Sequence, residues 1–258
     1  MEIRNTAVSR LPVTTVLFDF DGTISTLRHG WEQVMEPLMT ELLGEGAARI
    51  IRAYIDESTG VQTIFQMKWL AEQVRLRTGR AESPWNYKAE YNRRLMETVS
   101  KRRASVADGT ADREDYMIAG SEALLSALAG RGVALFVASG TDDPDVKAEV
   151  EALGLSGYFG RIAGAPPGVE DCSKEGVIRE LLREGVTGER LAVVGDGKVE
   201  IAIGRENGAR TLGLASDEES RRGLNPVKRE RLIKAGADVI AGDFLELDEL
   251  MDFFMGRR

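Results

Sequence analysis

Asp19 and Asp21, two carboxylates one residue apart, stand in the run Asp19-Phe20-Asp21-Gly22-Thr23, which ends the apolar stretch around Val16-Leu17-Phe18. Ser139 and Asp196 end two further apolar runs, and Lys174 opens a helix-like segment. Carboxylates gathered at one edge of a sheet repel one another and are costly to keep ionised without a cation. Oxygen ligands alone, with no histidine or thiolate among them, select a hard ion, of which Mg²⁺ is the natural choice. A carboxylate beside such an ion is a competent nucleophile toward phosphorus, because the ion and a lysine screen the charge of the incoming phosphate. A second carboxylate two residues along can act as acid and then base, while a serine hydroxyl and nearby amides hold phosphoryl oxygens. The chemistry this set assembles is phosphoryl transfer through an aspartyl-phosphate intermediate.

The elements around these residues must bring them to one place. A short apolar run closed by a polar, glycine-containing turn reads as a strand buried on both faces of a parallel sheet. Open α/β sheets place their ligands at the carboxyl ends of such strands. The later chain alternates helix-like and strand-like segments: Ser121 to Ala129 helix, Val133 to Ala138 strand, Pro144 to Leu153 helix, a short strand around Ile162, and Ser173 to Glu184 helix. Strands at Leu191 to Val194, Arg210 to Leu214 and Asp238 to Ile240 follow, with a last helix around Phe244 to Phe254. This spacing implies βαβ units. From about Arg28 to Arg103 the apolar residues recur only at helical spacing, with breaks near Gly44 to Gly46, Ser58 to Gly60 and Thr78 to Pro84. The expected fold is α/β: a Rossmann-like, doubly wound parallel sheet core, residues 1–26 and 113–258, with an all-helical cap, residues 27–112, inserted in it.

Composition narrows the class. Lys and Arg number 34 against 42 Asp and Glu, a net charge of −8, which argues against nucleic acid as a partner. One cysteine, Cys172, excludes a disulfide framework and fits a reducing compartment. His29, the only histidine, would have to serve any histidine-based triad or metal site. No apolar run approaches the roughly 18–20 residues of a membrane span, and residues 1–12 hold no signal-like apolar stretch, so the cytoplasm is the expected compartment.

Order and spacing along residues 13–26 and 113–215 resemble the haloacid dehalogenase superfamily of phosphohydrolases. Asp19-Phe20-Asp21-Gly22-Thr23 is similar to its first motif, Ser139 after an apolar strand to its second, Lys174 to its third, and Gly195-Asp196-Gly197-Lys198-Val199-Glu200 to its fourth. The helical insertion sits where that family often carries a cap. The resemblance implies that Asp19 is the nucleophile and Asp21 the general acid/base. It implies Mg²⁺ held by the Asp19 carboxylate, the Asp21 backbone carbonyl and the Asp196 carboxylate. Ser139 and the Gly140 amide would bind phosphate, and Lys174 would orient Asp19. The fourth motif departs from the family, which commonly has aspartate where this chain has Glu200. The extra methylene leaves contact with the metal open, direct or through a water, and Glu200 is assigned a supporting place behind the ligands.

The expected activity is hydrolysis of a small phosphorylated metabolite by a monomer or homodimer, with neither nucleic acid nor membrane involved. A sugar phosphomutase shares the same chemistry. A carbon–halogen hydrolase would need neither Asp21 nor Asp196. A phosphonate hydrolase would need a cap lysine forming a Schiff base, for which Lys68 and Lys88 are the candidates. A receiver-like signalling module also joins aspartates, a hydroxyl and a lysine, but its phosphoacceptor lies on a later strand. The polar break Ser58 to Thr63, with Gln62 and Gln66, is the expected place for selectivity if the insertion closes over the sheet edge. The remaining conspicuous residues read as structural: Cys172 as inert, His29 as a linker residue, Trp69, Trp85, Tyr87 and Tyr91 as helix packing, and Arg102-Arg103 and Arg221-Arg222 as solvated faces.

Overall fold

A computed structural model describes residues 1–5, 9–170 and 173–257; Cys172 lies outside them. The first half of the chain contributes strands β1 (Glu2–Ile3) and β2 (Thr15–Phe18) and helices α1 (Glu32–Leu43), α2 (Ala48–Ser58), α3 (Thr63–Thr78) and α4 (Pro84–Ala107). Then α5 (Ser121–Ala129), β3 (Ala134–Asp142), α6 (Asp143–Ala152), β4 (Phe159–Ala165) and α7 (Ser173–Arg183) alternate. The alternation continues through β5 (Leu191–Gly195), α8 (Lys198–Glu206), β6 (Arg210–Leu214), α9 (Pro226–Ala235), β7 (Val239–Ala241) and α10 (Leu247–Phe254).

The strands form one sheet in the order β1-β7-β6-β5-β2-β3-β4. Every pair is parallel except the edge pair β1 and β7. All residues of β2, β5 and β6 are buried, as unbroken apolar runs require when helices cover both faces. Phe18, Val137 and Val194 pack on one face with Leu124, Val150 and Phe254. Leu17 and Val193 pack on the other with Val177, Ile178 and Leu181 of α7. The expected doubly wound α/β architecture is therefore present. Helices α1 to α4 enclose a separate core that includes Met35, Ile51, Met67, Leu70, Leu95 and Val99. Their breaks fall at the glycine-rich and polar segments from which they were expected. Among the described residues no helix is long and apolar enough to cross a membrane.

Four elements differ from the sequence reading, the first being the short edge strand β1, which it did not contain. β3 runs on through Ser139, Gly140 and Thr141 to Asp142, with a register shift against β4 after Ala138. A bulge of this kind lets a strand continue where polar residues suggest its end. β4 is a full strand rather than a short one. Finally, α9 occupies a stretch that carries no obvious helical stripe: only Leu232 of its ten residues is buried.

Candidate active site

β2 lies between β3 and β5, so the residues after these three strands meet at the middle of one sheet edge. The Asp19 amide continues the ladder by donating to the Val194 carbonyl at 2.8 Å. The chain then turns tightly, with the Ile24 and Ser25 amides both donating to the Phe20 carbonyl at 2.9 Å. Gly22, at φ +71°, allows this turn and also a close approach, because a β-carbon there would lie 2.4 Å from Asp196 Oδ2.

Asp19, Lys174, Asp196 and Glu200 are all buried. Lys174 Nζ lies 3.1 Å from Asp19 Oδ1 and 2.8 Å from Glu200 Oε2. A lysine in the first turn of α7 opposes the helix dipole, and here two carboxylates offset that cost. Glu200 has room because Gly195 and Gly197 flank Asp196: β-carbons on them would lie 2.3 Å from Glu200 Cγ and 2.8 Å from Glu200 Oε1. Its Oε1 accepts the Gly197 amide at 2.5 Å, satisfying an open donor at the start of α8. The glutamate thus folds back over the glycines, with one oxygen on the helix and the other on the lysine.

One carboxylate oxygen from each of Asp19, Asp196 and Glu200 falls within 4.8 Å of the others. Burial pushes the Asp19 carboxyl well above its usual range, against the pull of Lys174, with the neighbouring carboxylates adding to the rise. Burial likewise raises Asp196 despite Lys228. Burial also disfavours a charged Glu200, yet Lys174 and two backbone amides hold its carboxyl below normal. An oxygen-only cluster of this kind, short of positive charge, fits a hard divalent cation.

Asp21 is held differently. Its Oδ2 accepts hydrogen bonds from Ser139 Oγ at 3.1 Å and Thr141 Oγ1 at 2.8 Å, and Arg28 Nε lies 3.8 Å from Oδ1. The Ser139 hydroxyl, expected on phosphate, here supports Asp21 and accepts the Thr141 amide at 3.0 Å. Arg28 is itself anchored on the fully buried Glu149 by contacts of 3.0 and 2.7 Å.

These groups open on a cavity of about 250 Å³ beneath the α2–α3 connection. Gly60 lies against Gly197 and Gln62 against Gly140, so the polar break meets the sheet edge. Gln66 lines the cavity, with its amide nitrogen bonded to Ser58 Oγ at 3.1 Å. Gln62 is buried beside Gly140 and does not line it.

Several residues read as bland prove to be engaged. Tyr91 lines the cavity. Arg102 is not a solvated face, since it donates to the carbonyls of Leu27 at 2.7 Å and His29 at 2.9 Å. His29 Nδ1 lies 3.6 Å from Glu218 Oε2. Lys228, overlooked in the sequence because α9 was, sits 2.7 Å from Asp196 Oδ2 and 2.6 Å from Glu218 Oε1. Conversely, Lys68 pairs with Glu170 and Lys88 with Asp142, and neither lines the cavity. Neither of these two lysines is thus placed for a Schiff base.

The haloacid dehalogenase-like hydrolase profile matches residues 13–208, and the chain belongs to that family. Comparison with curated proteins gives no match. Among solved structures, the chain is similar to a predicted phosphoglycolate phosphatase of Haemophilus somnus, with TM-score 0.64 and 14% identity over 92% of this chain and 97% of that one. It is also similar to a predicted phosphatase of Clostridium acetobutylicum, with TM-score 0.62 and 18% identity over 95% and 99% of the two chains. A β-phosphoglucomutase-like protein of Bacteroides vulgatus gives TM-score 0.63 and 14% identity over 96% and 90%. At these identities the likeness is one of fold. Membership of a hydrolase family leaves the receiver-like alternative without support.

Proposed function

We propose that this protein hydrolyses the phosphomonoester of a small metabolite, with Asp19 as nucleophile and Asp21 as general acid/base. The observation that carries the reading is the buried Asp19–Lys174–Glu200 chain beside Asp196, with Asp21 held separately by two hydroxyls. An Asp19 oxygen attacks phosphorus and the bond to the leaving oxygen breaks, while protonated Asp21 gives that oxygen its proton. Asp21 then takes a proton from water, whose oxygen attacks phosphorus and releases Asp19 and inorganic phosphate. Ser139 and the Gly140 amide receive the phosphoryl oxygens, and Lys174 pulls Asp19 toward its ionised form and aims it.

The Asp19 and Asp196 carboxylates and the Asp21 carbonyl would hold Mg²⁺, with Glu200 behind them as the anchor of Lys174. When bound, the ion supplies positive charge that screens the phosphoryl group. Residues 27–112 act as a cap that excludes bulk water and, through the Thr59 to Gln66 segment, selects the leaving group. A cavity of about 250 Å³ supports a small partner, and neither nucleic acid nor membrane is needed by a monomer or homodimer working this way. The single cysteine supports a cytoplasmic setting.

The test is release of inorganic phosphate from a panel of phosphorylated metabolites with Mg²⁺, alongside acid-quenched labelling of the protein by a ³²P substrate. Label on Asp19 that is absent from Asp19→Asn is the expected result. A labelled wild type that releases phosphate only onto a bound sugar, and only with a bisphosphate primer, would instead mark a phosphomutase.

A further inference from the structure

We propose that Arg231 forms a second anion-binding point in the cavity, so that the preferred ligand carries a carboxylate or second phosphate besides the reacting phosphoryl group. This deepens the phosphomonoester reading and rests on it. Four cationic side chains line the cavity: Arg28, Lys174, Lys228 and Arg231. The first three are matched, Arg28 to Glu149, Lys174 to Asp19 and Glu200, and Lys228 to Asp196 and Glu218. Arg231 has no carboxylate within 4.0 Å among the described residues, and its one hydrogen bond is a long 3.4 Å contact from Nη2 to the Asp196 backbone carbonyl. Its Nε is shielded from solvent and has no acceptor.

A buried guanidinium nitrogen without an acceptor costs free energy that a ligand oxygen would recover. The planar fork of arginine suits the paired oxygens of a carboxylate or phosphate better than any neutral group. Position agrees. Arg231 lies three residues after Lys228 on α9, hence on the same helix face, and its contact to Asp196 puts it next to the acidic centre. From residues 27–112 the lining takes Arg28 together with Glu32 and Asp56, and the two acids are in no ion pair among the described residues. With Arg28, Lys174 and Lys228 each held by carboxylates, Arg231 is the lining cation left to receive a ligand's second anion.

Binding of unreactive phosphonates, measured by calorimetry with Mg²⁺ present, separates this claim from hydrolysis. Phosphonoacetate, or a propane bisphosphonate, should bind the wild type about 10- to 100-fold more tightly than methylphosphonate, the range that a charged hydrogen bond supplies. The stronger of the two diacids tells carboxylate from phosphate. Arg231→Gln should erase the advantage and Arg231→Lys should restore part of it, with melting temperatures confirming that both variants fold. Equal binding of the diacids and methylphosphonate, an advantage that survives Arg231→Gln, or tighter binding of 2-aminoethylphosphonate would each overturn the proposal. Hydrolysis of simple esters without any diacid preference would sink the role of Arg231 alone. A diacid preference without any ester hydrolysis would instead overturn the phosphomonoester reading.

Discussion

Gly22 leaves the Asp196 carboxylate the space that a side chain would take. A β-carbon at position 22 would lie 2.4 Å from Asp196 Oδ2 and 2.9 Å from its carboxyl carbon. Gly22→Ala must therefore move Asp196 and also hold an alanine at positive φ, a strain of about 1–2 kcal/mol. We expect at least that loss in urea unfolding, together with weaker Mg²⁺ binding in calorimetry. A variant as stable and as avid for Mg²⁺ as the wild type would contradict the packing.

Asp19→Asn removes the proposed nucleophile and should abolish phosphate release. Asp21→Asn keeps the hydrogen-bonding shape of the side chain but not its proton transfer, and should slow turnover about 10²- to 10⁴-fold. Steady-state kinetics on one good substrate checks both. Substantial activity in Asp19→Asn would exclude the covalent route.

Lys174 and Glu200 form an ion pair with side chains only 5% and 2% exposed. Removing one partner strands a buried charge, so Lys174→Met should cost about 3–5 kcal/mol of stability as well as activity. Replacing both residues by apolar ones of similar size should recover most of the stability and none of the activity. Chemical denaturation of the single and double variants tests the pattern.

The His29–Glu218 pair should give stability a pH window. The Glu218 carboxylate raises the His29 pKa above its usual 6.5, so that contribution is fully present below 6.5 and is lost as pH rises through the folded-state value. Burial alone would raise Glu218, but His29 and Lys228 outweigh it and hold its carboxyl at about 2. That contribution is present above 4.5, the ordinary value, and is lost as pH falls toward 2. Both act together between pH 4.5 and 6.5. The melting-temperature gap between wild type and Glu218→Gln should be widest there and should shrink on either side; a gap independent of pH would count against the pair.

Gln66 faces the cavity while bracing Ser58, and Gln62 braces Gly140 from behind the wall. Gln66→Ala should change the ranking of substrates more than the rate on any one of them, and Gln62→Ala should do so less strongly. Relative kcat/KM over four or five esters measures this, and identical rankings in all three proteins would remove the segment from selectivity.

The central strands and their acidic ends were legible because burial on both faces demands unbroken apolar runs, which the polar turns at Asp19 and Asp196 interrupt sharply. Thr141 was not. Its strand continues past the expected end, so that Thr141 and Ser139, two residues apart on one face, reach the same Asp21 oxygen. Helix α9 escaped notice because a single buried leucine makes no stripe, although Asn225 and Pro226 spell an N-cap followed by a first-turn proline, and the Asn225 side chain does accept the Val227 and Lys228 amides. Lys228 and Arg231 were missed with it. Arg102 left no local trace at all, since its acceptors are carbonyls some 75 residues away in the chain.

The contacts of Arg102 bear on motion. α4 is the return leg of the helical insertion, and Arg102, near its end, is fastened to the outgoing leg at Leu27 and His29. The two crossings between the halves are thereby laced into one strap. A swing of the insertion that keeps these hydrogen bonds turns both legs as one body.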